Sequence, residues 1–377
     1  MTYRGKTLSI GLAALALAAG AAPAQAQPSD AMPSFNGTVL TIAYRGNVAY
    51  LGGDFTAALV RGKQVSRGHL AAVDARTGEL LPWAPGADGR VKALTLSGGS
   101  VFLAGDFGTI GGAKRDSLAR VDAITGAVHA TFKHAITGRP YAIAAAGNRL
   151  YLGGTISAVD GQARGRLAAF NLTTGALDTK WRPTADDQVE TVAAGRGRVY
   201  AGGKFHKVNG LSGYDRLVAL DPATAAVVAG FKPKPPVITY ALAVTADGVF
   251  SAHGGHGGRV SRYTRDGRLR WSATFDGDVH AITVLGDIVY AGGHFDRACS
   301  ITARTGTQCS CVNGADSRLK LAALDAGDGH LLDWTADANG VEGVLALAGN
   351  PELHRLAVGG AFTTVDGRTQ KRFAQFS

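Results

Sequence analysis

The chain has 377 residues, of which 53 are glycine, 46% are hydrophobic and 18% are charged. This hydrophobic fraction excludes a disordered chain, and the frequent glycines and prolines exclude long helices. The formal net charge of +10 at pH 7 favours an anionic partner.

The sequence of residues 1–26 has the pattern of a signal peptide. Two basic residues, Arg4 and Lys6, precede an apolar stretch, and the segment ends in Ala24-Gln25-Ala26, the small-x-small pattern that signal peptidase accepts. The apolar stretch is shorter than the roughly 20 residues that a transmembrane helix needs. We therefore expect a secreted, extracellular protein with no transmembrane segment, whose mature chain carries 37 Lys and Arg against 29 Asp and Glu.

The rest of the chain, residues 27–377, repeats one strand pattern, Val-Tyr-x-Gly-Gly-x-Phe and its variants. The copies start 40 to 67 residues apart, which is typical of a four-stranded propeller blade and not of a helical repeat. The sequence therefore predicts an all-β fold over residues 27–377, a single seven-bladed β-propeller domain with four-stranded blades. The copies are Ala49–Phe55, Val101–Phe107, Leu150–Ile156, Val199–Phe205, Val249–Gly255, Val289–Phe295 and Leu356–Phe362.

Each copy is predicted to be strand b of a blade with strands a to d. Strand a precedes it across a tight turn that contains glycine or Asn-Gly-type residues. Strand c has the form Leu-Ala-Ala-x-Asp, as in Leu70–Asp74, and its Asp is predicted to close an Asx-type turn. Strand d carries one large aromatic residue, and the N-terminal segment around Phe35 is predicted to close the last blade as its outer strand. The aromatic residues assigned to strand d are Trp83, Phe132, Trp181, Phe231, Phe275 and Trp334.

These strands, together with the Trp-x-Pro endings at Trp83 and Trp181, resemble a family of secreted bacterial β-propeller repeat proteins of unknown function, chiefly actinobacterial. The resemblance covers nearly the whole mature chain and implies a secreted propeller, but it carries no catalytic residues to this sequence. The fifth copy departs from the pattern, because His253-Gly254-Gly255 stands where Gly-Gly-x-Phe is expected.

The loops between strands b and c are predicted to form the binding face. They range from four to 23 residues, and loops that vary on a fixed scaffold commonly carry function. They hold 17 Lys and Arg against six Asp, which favours electrostatic binding of an anionic extracellular polymer or surface protein. The less repetitive basic residues are the candidate ligand contacts: Arg61, Lys63, Arg67, Lys114 and Lys371.

A second set of basic residues recurs just before strand c, which favours a structural role such as pairing with Asp54 or Asp106. This set comprises Arg166, Arg216, Arg259, Lys320 and Arg372.

All three cysteines lie in the longest b–c loop. In an oxidising compartment we expect a disulfide between Cys299 and Cys309, with Cys299–Cys311 as the alternative, and one thiol that could pair between molecules. Cysteine and histidine spacings typical of zinc sites do not accompany them. The histidines at 253, 256, 280 and 294 are the only histidine concentration, and they too lack a recognisable ligand spacing. We therefore expect no metal and no cofactor.

No catalytic motif for nucleophilic, zinc-dependent or phosphate chemistry occurs in the sequence. The favoured function is a secreted, non-catalytic binding or scaffold module, monomeric and without specific nucleic-acid binding. One alternative is a propeller hydrolase or lyase that acts on a surface glycan with dispersed catalytic residues. Another is a protein–protein interaction hub, which a large exposed apolar patch would indicate.

Overall fold

The computed structural model describes residues 32–377 except 256, 301, 306–307 and 312–313, and for residues 302–305 and 308–310 it describes the backbone only. The expected signal peptide and His256 lie outside the described residues. All the regular secondary-structure elements of the described residues are β-strands. This part of the chain contains no helix that is long and apolar enough to cross a membrane.

The described residues form seven sheets in which strands a, b and c are antiparallel neighbours, and each sheet is called a blade below. Strands a are Val39–Arg45, Arg90–Ser97, Pro140–Ala146, Val189–Gly195, Ile238–Val244, Val279–Leu285 and Val344–Asn350. Strands b are Val48–Gly53, Ser100–Asp106, Arg149–Gly154, Arg198–Gly203, Val249–Gly254, Ile288–Gly293 and Arg355–Gly360. Strands c are Leu70–Asp74, Leu118–Asp122, Leu167–Asn171, Leu217–Leu220, Gly258–Tyr263, Leu321–Asp325 and Phe373–Phe376.

In every blade except the fifth, the b–c loop folds into a short hairpin of its own. These hairpins are Ala57–Val60 with Lys63–Ser66, Thr109–Ile110 with Ala113–Lys114, Ala158–Val159 with Gln162–Ala163, Lys207–Val208 with Leu211–Ser212, Arg297–Cys299 with Ala315–Ser317, and Thr364–Val365 with Arg368–Thr369. The sixth also contains an inner hairpin of Thr302–Thr305 with Gln308–Cys311.

The a strands surround a central channel of about 330 Å³, which is lined by residues from all seven of them. The apolar core lies between blades, and one of its clusters joins Val39 and Ile42 of the first blade to Ala346, Ala357 and Phe373 of the last. The blades therefore form a closed ring, and the prediction of an all-β propeller is confirmed.

The paired glycines of strand b allow two close backbone approaches. A Cβ on the first glycine of the last blade, Gly359, would lie 2.6 Å from Cγ1 of Val39 in the first blade. A Cβ on a second glycine, such as Gly154, would collide with the carbonyl oxygen of Arg139, just before strand a of the same blade. The first glycine thus sets the spacing between blades, and the second sets the spacing within a blade.

Strand d is shorter than predicted in most blades. Among the described residues only the fifth blade has a full outer strand, Leu269–Phe275, whereas in the first a single bridge joins Val73 to Leu80. The chain then leaves the edge of its blade, and Ala87 pairs with Ile110 in the hairpin of the next blade. The fifth blade has no b–c hairpin and can hold a continuous outer strand, so the copy that departs from the motif forms the most regular sheet.

The N-terminal segment closes the ring, but it does not form the predicted outer strand. The Phe35 amide donates to the Lys371 carbonyl of the last blade, whereas the two-residue strand Ser34–Phe35 pairs with Ala58 and Leu59 of the first. Phe35 therefore occupies the crossing position that Ala87 occupies between the first two blades.

The aromatic residues of the outer strands pack in two different ways. Phe35 packs on Phe55 of the following blade (ring centroids 4.6 Å apart), just as Phe275 packs on Phe295. The outer strand of the fifth blade carries Phe275 as predicted, but it also carries Trp271, and Trp271 is the residue that packs on Phe250 of its own strand b. The last blade needs no such residue, because its strand b carries Ala357 where the other copies carry Tyr or Phe.

The c–d turns follow the prediction. Oδ1 of Asp74 accepts hydrogen bonds from the amides of Arg76 (2.8 Å) and Thr77 (2.9 Å). The same two bonds recur at the equivalent Asp or Asn of four other blades. This Asx geometry turns the chain after strand c.

The disulfide joins Cys299 to Cys311, with the Cα atoms 5.2 Å apart, and not to Cys309 as the first choice had it. The inner hairpin explains the choice, because Cys311 is opposite Thr302 near the base, whereas Cys309 is opposite Arg304 farther along. The alternative pairing left open by the sequence is therefore the one observed.

Replacing the second glycine of a pair should destabilise the ring. We predict that Gly154→Ala lowers the free energy of unfolding by about 2–3 kcal/mol, because the new methyl group overpacks against a main-chain carbonyl. Gly230→Ala is the control, since no atom lies within 4 Å of its added Cβ, and it should change stability by less than about 0.5 kcal/mol. Urea unfolding measures both, and equal midpoints for the two variants would contradict the packing role.

The cysteine pairing predicts a specific peptide map. Non-reducing digestion followed by mass spectrometry should recover a peptide that links Cys299 to Cys311, with the alkylating reagent on Cys309. Cys309→Ser should leave the linked peptide intact, whereas Cys311→Ser should remove it. A Cys299–Cys309 link in the wild-type protein would contradict the observed pairing.

Candidate functional site

Four arginines of the b–c loops brace the hairpins instead of facing solvent. In each, Nη1 donates to the preceding residue's carbonyl and Nη2 donates to the carbonyl of the residue 14 positions later in the d segment. For Arg115 the two distances are 2.6 Å to Lys114 and 2.9 Å to His129. The four residues are Arg67, Arg115, Arg164 and Arg318.

Arg67 was predicted to contact a ligand, but both of its terminal nitrogens donate to main-chain carbonyls, those of Ser66 and Leu81. Burial lowers the pKa of its guanidinium. This geometry makes Arg67 a residue that positions the first hairpin, and its neighbours Arg61 and Lys63 remain exposed.

The basic residues that recur before strand c also have a backbone role. Arg166, Arg216, Lys320 and Arg372 all have φ between 61° and 75°. In each case the amide donates to the carbonyl of the last motif residue, and the carbonyl accepts from the second glycine of the pair. The fifth member of the set, Arg259, lies within strand c instead.

The predicted ion pairs with Asp54 and Asp106 are wrong. Asp54 pairs with Arg90 (2.8 Å) and Asp106 with Lys92 (2.8 Å), because strand a starts beside the end of strand b.

The other predicted contacts, Arg61, Lys63, Lys114 and Lys371, have exposed side chains. Among the described residues none of the four has an ion-pair partner. They belong to the last, first and second blades, which are consecutive around the ring. Lys371 is tied to the first blade through the N-terminal segment, since its amide donates to Oγ of Ser34 (3.1 Å) and its carbonyl accepts from the Phe35 amide (3.1 Å).

Two surface clefts adjoin these cations. A cleft of about 600 Å³ is lined by Arg61 and Arg67 together with Glu79. A second cleft of about 660 Å³ is lined by Lys114 and Lys133 among others. Arg61 and Lys114 thus border two separate open grooves and not one enclosed pocket.

A second polar region, which the sequence analysis missed, lies where the channel opens on the b–c face. The register of every strand a shifts at one residue near its start, which forms a β-bulge there. Six of the seven bulged residues line the channel: Leu40, Tyr141, Glu190, Tyr240, His280 and Leu345. The seventh, Lys92, has its ammonium 4.6 Å from the ring centroid of Tyr141.

The position after the glycine pair contributes to the same channel mouth. Lys204 occupies this position in the fourth blade and its Nζ lies 3.5 Å from Glu190. Asp54, Asp106 and His294 occupy it in other blades. The signal that could have found the site is therefore the variable residue of Gly-Gly-x, combined with the second or third residue of strand a.

Asp278, His280 and His294 form a cluster at this mouth, with potential ligand atoms all within 4.8 Å of one another. Burial lowers the pKa of His280, and the nearby Asp278 carboxylate opposes that effect. His253, which the sequence grouped with these histidines, is buried in strand b, where Nε2 lies 2.7 Å from Oγ of Ser251. Burial lowers its pKa to about 3, so His253 is a neutral core residue.

Two solved structures are similar to this chain across nearly its whole length. The WD40 β-propeller domain of Doa1 matches with a TM-score of 0.63 and 9% identity, covering 93% of this chain and 96% of that one. The computationally designed Ika8 protein matches with a TM-score of 0.52 and 16% identity, covering 92% and 98%. At these identities the likeness shows the fold, and the protein is a β-propeller.

The chain belongs to the family described as outer membrane protein assembly factor BamB, which it matches over residues 37–228 and 214–369. No curated protein gives a significant match. The expected membership in a family of β-propeller repeat proteins is confirmed at this level.

The bracing arginines and the exposed lysines should differ in their effect on stability. We predict that Arg115→Ala lowers the free energy of unfolding by about 2–4 kcal/mol, because two buried charge-assisted hydrogen bonds are lost. Its neighbour Lys114→Ala should change it by less than about 0.5 kcal/mol. Urea unfolding of both variants measures the difference, and an Arg115→Ala protein as stable as wild type would exclude the bracing role.

Proposed function

We propose that this protein is a secreted, non-catalytic binding or scaffold module that captures an anionic polymer of the cell surface or wall on its b–c face. The observation that carries the proposal is the row of exposed cations on three consecutive blades, Arg61, Lys63, Lys114 and Lys371, which have no ion-pair partner among the described residues.

The arrangement suits an extended ligand better than a small one. Arg61 and Lys114 border separate open clefts, so each would contact a different part of the same ligand chain. Exposed charges are screened over about 8 Å at physiological salt, and each contact is therefore weak by itself. Several such contacts along one polyanion add up, and their sum depends strongly on salt.

The family description supports a scaffold role, since it names an assembly factor of the outer membrane. A role outside the cytoplasmic membrane also agrees with the signal peptide expected at residues 1–26. The bracing of the hairpins by Arg67 and Arg115 supports the same proposal, because a preformed surface loses less conformational entropy on binding.

Ion pairing at the channel mouth supports binding over the glycan hydrolase or lyase alternative. The carboxylates of Asp54, Asp106 and Glu190 are each paired with a cation there. A catalytic carboxylate must instead face the substrate within hydrogen-bond reach of the proton that it transfers.

The test is co-sedimentation of the full mature chain with purified cell wall and with an acidic polysaccharide, across about 50 to 200 mM salt. The binding variant changes Arg61, Lys63, Lys114 and Lys371 to Gln. The control variant changes the same number of exposed basic residues on the opposite face to Gln, so that net charge is matched. The control residues are Arg45, Arg76, Arg196 and Arg265.

We expect wild-type binding to weaken with salt, and the binding variant to lose roughly tenfold in affinity while the control keeps most of it. An equal loss in both variants would assign the effect to net charge and contradict a binding face. Salt-independent binding would contradict the electrostatic mechanism. Release of soluble products from the polysaccharide would support the enzyme alternative instead.

A further inference from the structure

We propose that Asp278, His280 and His294 form a binding site for a divalent first-row transition metal, with Zn²⁺ as the preferred ion, at the b–c mouth of the central channel. This site is separate from the exposed cations of the proposed binding face and does not depend on them.

The donor set matches the chemistry of zinc. The three residues offer two imidazole nitrogens and one carboxylate oxygen, all within 4.8 Å of one another. Imidazole with carboxylate suits Zn²⁺ and related transition metals, whereas Mg²⁺ and Ca²⁺ prefer oxygen ligands alone. Three protein ligands leave at least one coordination position for water or for an oxygen of a bound anion.

Backbone pairing holds two of the ligands side by side. The His294 amide donates to the Asp278 carbonyl (3.1 Å), where strand b ends beside the start of strand a. Next along the chain, the register of strand a shifts between Val279 and Ala281, so His280 is the bulged residue. His280 lines the channel mouth, while the adjacent Val279 stays in the core. The bulge also shifts the pairing of strand a with strand b by one residue at this point.

The surroundings fix the carboxylate and one imidazole in place. Oδ1 of Asp278 accepts a hydrogen bond from the Gly255 amide of the neighbouring blade (2.6 Å), and Oδ2 accepts none from the described residues. The His280 ring packs against Tyr240, with centroids 5.0 Å apart. Such supporting contacts orient metal ligands, and losing them commonly costs 10- to 100-fold in metal affinity.

Local charge also favours a cation. The carboxylates of Asp278 and Glu342 both place negative charge near His280. Lys320 donates to the His294 carbonyl (3.2 Å), but its ammonium also lies 2.5 Å from the Asp296 carboxylate, which offsets its charge. A bound dication would thus be near two carboxylates, one of them a ligand.

The experiment titrates the metal-free, full mature chain with Zn²⁺ alone by isothermal calorimetry, and with Co²⁺ by visible absorption. Two ligand variants are compared with wild type. Asp278→Asn keeps the oxygen that accepts from Gly255 and removes the anionic ligand, whereas His294→Ala removes an exposed ligand. His206→Ala is the matched control, since His206 lies on the same face 2.9 Å from Asp215 without a second histidine.

A Cys309→Ser background removes the remaining thiol as a competing ligand, and urea unfolding shows that each variant is folded. If Asp278→Asn does not fold, the exposed His294→Ala variant decides the result by itself.

We expect one Zn²⁺ per chain, at least about tenfold weaker binding in either ligand variant, and unchanged binding in His206→Ala. The Co²⁺ absorption should change in His294→Ala. Absence of stoichiometric Zn²⁺ binding by the wild type, or equal affinity in wild type and both ligand variants, would overturn the proposal. Either result would leave the polyanion experiment unaffected, because its variants are on other residues.

Discussion

Close packing between neighbouring blades is the constraint on which the rest of this structure depends. Strand b must approach strand a of the next blade so closely that glycine is used at the contact in most blades, as with Gly359 against Val39. The same kind of contact is found between consecutive blades and between the last blade and the first. The distance between blades is therefore the same where the ring closes. Hydrogen bonds between blades reinforce it, such as the one that Trp83 Nε1 donates to the Asp122 carbonyl of the next blade.

This packing determines where chemistry can vary. The fold requires the glycine pair and the backbone bulge in strand a. It does not require a particular side chain at the bulged residue or at the residue after the glycine pair. Six of the seven bulged residues line the channel, and at its b–c end the chain carries ion pairs in some blades and the Asp278, His280 and His294 cluster in another. The repeated scaffold thus presents residues that differ from blade to blade around one end of the channel.

Basic residues have two different roles on the b–c face. Arginines at a fixed place in the hairpins satisfy main-chain carbonyls, whereas exposed cations such as Lys114 stand beside them. The net charge of the loops therefore overstates how many cations a ligand would meet. The sign of the field is still positive, because basic residues outnumber acidic ones in these loops.

The sequence by itself determined the all-β propeller, the strand b and strand c positions and the Asx turns, because these depend on local alternation and on residues a few positions apart. It could not assign the role of Arg67, the partner of Cys299 or the packing of Trp271 on its own strand b, because each depends on which strand edge lies alongside. The His280 and His294 cluster was equally hidden, since its ligands come from two strands and a bulge and have no characteristic spacing. Only the tertiary structure decided these points, because contacts between strands and between blades are set by register and ring closure, which a linear pattern does not specify.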